Sequence, residues 1–156
     1  MPLGNLTSQF FANIYLNELD YFIKHKLKAE YYIRYVDDFV ILHESEGQLK
    51  FWMKEIDAFL RGNLGLELHP DKSKVLPLAR GIDFVGFKNF YHFRLLRKRN
   101  ILKMRQRMGR FEKGNGGYWG LISSFQGWQA YSKWADTYRL RKRIAAEINS
   151  VKFKTP

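Results

Sequence analysis

Asp37 and Asp38 are the residues of this chain best suited to do chemistry. They are adjacent carboxylates flanked by two aromatic and β-branched runs, Tyr31–Val36 and Phe39–Leu42. Such runs either side of a two-residue turn predict a β-hairpin with the acids at its tip. The turn holds neither the Gly nor the Asn that a tight hairpin normally requires. Two like charges held together between apolar strands repel, and a cation removes that cost. A divalent metal, Mg²⁺ or Mn²⁺, is the natural solution because hard cations prefer carboxylate oxygen. On this stretch alone, a solvated Asp-Asp turn explains the residues equally well.

The rest of the composition narrows the chemistry. Cysteine is absent, so disulfides, thiolate metal sites and a cysteine nucleophile are excluded. At 156 residues, with 46% hydrophobic and 17% aromatic residues, the chain can bury a real core. It lacks a run of eighteen apolar residues, and its N-terminus has no basic stretch followed by an apolar one. A soluble cytoplasmic protein without a membrane partner is the expectation. The net charge of +12 is unevenly placed. Residues 1–93 hold 11 Lys/Arg against 12 Asp/Glu, whereas residues 94–156 hold 16 against 3. A near-neutral body with a basic tail suggests a polyanion held by one part and worked on by the other. A basic membrane-surface helix competes with that reading, but the aromatic residues in the tail favour nucleic acid.

The elements that must position the acidic pair follow from periodicity. A helix is expected over about 8–25, with Phe11, Tyr15, Leu19 and Phe22, widened by Ile14 and Ile23, as its core stripe. A second runs over about 46–61, with Leu49, Trp52, Ile56, Phe59 and Leu60 on one face and Gly62-Asn63 as its C-cap. Residues 64–68 and 73–76 alternate like strands around a His69-Pro70-Asp71 turn. Residues 81–87 and 91–95 read as a further β-pair joined by 88–90. From Asn100 the period is helical: one helix to about 114, with Ile101, Met104, Met108 and Phe111 on a face, then 118–134 and 137–151. Trp119, Trp128, Tyr131 and Trp134 read mainly as bundle core. The fold class is therefore α+β, a small antiparallel sheet with two helices, followed by an all-α three-helix bundle.

Four stretches then line up in order: Pro2-Leu3-Gly4-Asn5-Leu6-Thr7-Ser8-Gln9, Tyr35-Val36-Asp37-Asp38, Leu68-His69-Pro70-Asp71-Lys72-Ser73-Lys74 and Phe84-Val85-Gly86-Phe87. Together they resemble the palm and thumb of a reverse transcriptase, an RNA-directed DNA polymerase. The form Leu3-Gly4…Ser8-Gln9 is most similar to the version found in diversity-generating retroelements, with retron and group II intron enzymes as close alternatives. The resemblance implies residues 1–95 as the C-terminal part of a palm and 96–156 as a basic, thumb-like helical domain.

By that resemblance the enzyme performs nucleotidyl transfer with two divalent ions. Asp37 becomes the bridging ligand, supported by Asp38. Gln9, Gly4 and Tyr35 lie near the incoming nucleotide, and Gly4 lets backbone approach closely. Lys72 or Lys74 neutralises departing pyrophosphate or donates a proton to it; two exposed lysines flanking a strand are the alternative. Phe84, Val85, Gly86 and Phe87 grip the primer, or are core on one face. In the basic run Arg94–Lys113, nine Lys/Arg stand against one Glu, and Arg97, Arg99, Lys103 and Arg107 are the candidates for phosphate contact. The implied partners are an RNA template, a DNA primer, deoxynucleoside triphosphates and a small basic accessory protein. A further aspartate and a fingers region are expected to precede the first residue. The 156 residues alone are accordingly expected to be inactive, and an exposed sheet edge could drive self-association. A non-catalytic RNA-binding module that aids intron splicing on the same scaffold is the competing reading.

Overall fold

The computed structural model describes residues 6–152. Within it the chain forms two compact units, residues 1–76 and 77–156.

The first unit packs helices against a two-stranded hairpin. Helix α1 (Leu6–Tyr15) runs into α2 (Asn17–Tyr21), which widens into a π-turn over Phe22–Lys26. Strands β1 (Tyr31–Tyr35) and β2 (Asp38–Leu42) pair antiparallel, and α3 (Glu46–Phe59) ends in a second π-turn, Leu60–Leu64. Helix α3 starts where its sequence asks: the Ser45 side chain accepts from the Gln48 N–H at 3.2 Å. Leu19, Ile23, Ala29, Trp52, Ile56, Leu60 and Leu64 are the buried core, and Phe22 stacks on Phe59 with ring centres 4.2 Å apart. The core stripe expected on the first helix holds only for its second half. Leu19 and Ile23 are buried, but Phe11, Ile14 and Tyr15 are exposed, so α1 lies largely outside this core.

Three further expectations are corrected here. Gly62-Asn63 lies inside the π-turn, and Gly65 at φ +59° is the residue that ends it. Residues 64–68 and 73–76 form no strand. Their backbone is satisfied otherwise: the Leu66 N–H donates to the Leu60 carbonyl and the Leu68 N–H to the Asp57 carboxylate.

The second unit is a meander, β3 (Ile82–Phe84), β4 (Phe87–Asn89) and β5 (Arg94–Leu96), followed by α4 (Lys98–Glu112), α5 (Tyr118–Ser132) and α6 (Tyr138–Lys152). Met104, Met108, Leu121, Phe125, Ile144 and Ile148 bury the bundle core. The three helices fall within two residues of their expected bounds, and the fold class is α+β as expected. The sheet differs in two ways: the structure has two small sheets in place of one, and residues 81–87 are not a single strand. They fold back at Val85-Gly86, because two successive positive-φ residues make a tight turn there. Trp119 and Trp134 are 80% and 66% exposed and belong to no core, while Trp128 packs against the bundle.

Candidate functional site

The acidic pair sits at the tip of the first hairpin, displaced by one residue from the expected turn. The loop is Val36-Asp37, and Asp38 is the first residue of β2, paired across the ladder with Tyr35. Alternation could not fix this register, because a two-residue slide keeps the same residues on each face. Tyr32, Phe39 and Ile41 pack toward the core. Tyr31, Ile33 and Tyr35, with Asp38, Val40 and Leu42 opposite, make up the other face, where Tyr35 is 59% exposed. Asp37 and Asp38 are both exposed, and Tyr35 is the direct cross-strand neighbour of Asp38. Among the described residues no group of three or more acidic or histidine side chains is gathered to hold a metal. Two exposed carboxylates suit a hard divalent cation as part of its donor set, with further oxygens required to complete it.

Beneath the tip lies an ion pair that the motif reading overlooked. Arg34 on β1 places Nε 2.7 Å from Asp20 Oδ1 and bonds Asp20 Oδ2 through Nη2, a two-bond fork onto α2. Its Nη1 donates to Asn13 Oδ1 on α1 at 2.9 Å and to the Val36 carbonyl at 2.7 Å. The Tyr32 hydroxyl donates to the same Asp20 carboxylate. Partial burial by itself would raise the Asp20 carboxyl. The hydrogen bonds from Arg34 and Tyr32, with the Arg34 charge, outweigh it and hold Asp20 below the usual carboxylate range. Burial and then the bond to Asp20 push the Tyr32 phenol well above its ordinary value. A signal for this pair existed: Arg34 shares the inward parity of Tyr32, and an arginine there requires an acid partner.

Gln9 is exposed on α1, one helical turn before Asn13 and so on the same face. Gly4 lies outside the described residues. Lys72 and Lys74 are exposed and flank half-buried Ser73, which lines a groove of about 280 Å³ with Asp57, Arg61 and His69. The His69 carbonyl accepts from the Lys72 and Ser73 N–H groups and shapes the turn.

In the second unit the structure brings three of the four basic candidates beside the 84–87 turn. Arg99, Lys103 and Arg107 recur every four residues along α4 and line one groove of about 510 Å³. Its other walls include Gly86, Ser123, Ser124, Trp128 and Tyr131. The buried indole N–H of Trp128 has no hydrogen-bond partner among the described residues. Arg97, the fourth candidate, is engaged elsewhere, bonding Asp83 at 3.1 Å. At the hairpin turn, Val85 has φ +47° and Gly86 φ +82°. A Cβ on Gly86 would stand 2.1 Å from the Tyr131 hydroxyl, so a larger residue there must displace that ring. Phe87 is buried and stacks on Tyr131 with centres 4.8 Å apart, and Phe84 is half-buried. Tyr131 was missed as a site residue because its link to residue 86 spans 45 positions of sequence.

A stretch of 61 residues in this chain is 34% identical to a putative COX1/OXI3 intron 2 protein of Saccharomyces cerevisiae. That match covers 38% of this chain and 7% of the yeast protein, so the chain spans a small part of that relative's length. No helix among the described residues is long and apolar enough to cross a membrane. The family model for reverse transcriptase (RNA-dependent DNA polymerase) matches residues 1–89, more than half of the chain, and the chain belongs to that family.

Proposed function

We propose that these 156 residues are the palm-and-thumb portion of an RNA-directed DNA polymerase, residues 1–95 serving as palm and 96–156 as thumb. The observation that carries this reading is the exposed Asp37-Asp38 pair at a hairpin tip within the family match. Divalent ions, when bound, activate the primer 3′-hydroxyl and offset charge on the triphosphate. Asp37 and Asp38 would supply carboxylate oxygens to them. Tyr35 and Gln9 would contact the incoming nucleotide, with Gly4 allowing close approach. Lys72 or Lys74 would meet the departing pyrophosphate. The turn 84–87 would bear on the primer, while Arg99, Lys103 and Arg107 would hold phosphates along the groove they share with Gly86. The start of α4 supports that role. Lys98 and Arg99 occupy its first turn with no acidic residue, an arrangement that an anion at the positive end of the helix stabilises.

The subtype reading, a diversity-generating retroelement enzyme with a small basic accessory protein, rests on Leu3-Gly4…Ser8-Gln9. The chain alone would bind nucleic acid without synthesising DNA, because two carboxylates cannot complete a two-metal centre. Both edges of the two-stranded sheet lack a neighbouring strand among the described residues, which supports self-association.

An RNA-binding aid to intron splicing is the second reading, and the likeness to an intron protein is compatible with it as with the polymerase. The deciding experiment places Asp37→Ala in an enzyme that carries these residues together with a fingers region. Loss of Mg²⁺-dependent primer extension with RNA affinity retained supports the polymerase; retention of both supports the splicing module.

A further inference from the structure

The acids are carried on a turn whose first loop residue, Val36, has φ +56°. That conformation is costly for a β-branched side chain and persists only where the surroundings enforce it. The Val36 carbonyl accepts a hydrogen bond from Arg34 Nη1 at 2.7 Å. The Arg34 side chain is only 10% exposed and is tied at its other nitrogens to Asp20 on α2, while Nη1 also meets Asn13 on α1. Two helices therefore hold the guanidinium still, and it cannot follow the loop if the loop relaxes.

We propose that Arg34 is a positioning residue for the acidic turn: braced by Asp20 and Asn13, its guanidinium fixes the Val36 carbonyl and thereby the positive-φ loop that carries Asp37 and Asp38. The consequence for metal binding rests on the reading of those acids as metal ligands, whereas the consequence for the turn does not. An ordinary core ion pair would need only the fork to Asp20. The bond to Val36 is what distinguishes a positioning device, and arginine alone can make all these contacts at once. A lysine keeps the charge beside Asp20 but has no planar fork to span both partners.

Four forms of the 156-residue chain test this: wild type, R34K, V36G and R34K/V36G. Nuclear magnetic resonance follows the amides of Val36, Asp37 and Asp38 and their broadening by Mn²⁺, and circular dichroism follows thermal unfolding. Glycine accepts positive φ without cost, so V36G removes the need for the Arg34 clamp. R34K is expected to shift the tip amides and weaken Mn²⁺ binding about tenfold, the effect of losing one charge-assisted bond. V36G is expected to leave binding unchanged. The double variant should recover binding while its unfolding midpoint stays as low as that of R34K. Equal loss in R34K and R34K/V36G overturns the proposal, and so do unmoved tip amides in R34K. Should R34K fail to fold, Asn13→Ala loosens one brace with the Asp20 pair intact, and the same outcomes decide. A wild type that shows no Mn²⁺ broadening sinks the metal reading alone, because the tip amides still report on Arg34.

Discussion

Replacing Gly86 by alanine probes the turn that the second unit brings into its basic groove. The added methyl meets two obstacles. The backbone there has φ +82°, and the Tyr131 hydroxyl stands 2.1 Å from the new Cβ. Left-handed backbone costs an ordinary residue about 1–2 kcal/mol. Displacing Tyr131 also disturbs its stacking on Phe87 (4.8 Å between centres, planes 23° apart), an interaction worth about 0.5–1.5 kcal/mol. The two effects together predict a loss of about 1.5–3.5 kcal/mol, or a fall of roughly 3–14 °C in unfolding midpoint for a chain of this size. Trp119, Trp128 and Trp134 all lie in the second unit, against Trp52 alone in the first, so tryptophan fluorescence follows the relevant transition. Adding Tyr131→Phe removes the hydroxyl and should return the steric share of the loss, leaving the backbone share. Unchanged stability in G86A would refute the reasoning. So would a double variant no more stable than G86A, since the ring would then not be the obstacle.

Two further outcomes follow from the same geometry. Changing Arg99, Lys103 or Arg107 singly to glutamine should lower the slope of log affinity against log salt for an RNA–DNA duplex by about 0.7–0.9 each; Arg97→Gln should change it less, because Arg97 is already paired with Asp83. This is checked by fluorescence anisotropy across a salt series. Asp20 is held below its ordinary value in the folded chain, so its stabilising contribution is present above the unfolded value near pH ~3.9 and is lost as pH falls through the depressed folded one. Asp20→Asn should remove that acid-side slope, read by circular dichroism across pH 2–5.

Much of this arrangement was legible because it is local. The helix expected from about residue 46 starts at Glu46, and Met104 with Met108 marks a buried face. The acidic tip lies within one hairpin and the basic stripe within one helix, so spacing alone exposes them. What escaped depends on pairings distant in sequence. Arg34 and Asp20 are 14 residues apart, and Asp20 reads as one more solvent-facing acid on a helix until β1 lies beside it. Phe11, Ile14 and Tyr15 follow helical spacing as faithfully as Leu19 and Ile23, and periodicity cannot say which half of the stripe finds a core. The alternation over 64–68 was genuine, but Leu64 closes a π-turn, Gly65 is left-handed, and the Leu66 and Leu68 N–H groups go to a helix end and to Asp57.

The two hairpin tips pose one physical problem and meet it differently. Each places a valine at positive φ, Val36 at +56° and Val85 at +47°, where glycine would be the easier choice. A β-branched residue in that region stores strain, and the loop keeps its shape only if something outside the ladder holds it. At the first tip the holder is polar: Arg34 grips a carbonyl while two helices grip Arg34. At the second it is apolar and steric: Gly86 leaves no atom between the loop and the Tyr131 ring, which Phe87 in turn packs against. Charge suits the first because the loop offers a backbone carbonyl, and a guanidinium already neutralised by Asp20 can bind it without adding net charge. Close packing suits the second because that groove already carries three cations on α4, and another would add to their mutual repulsion.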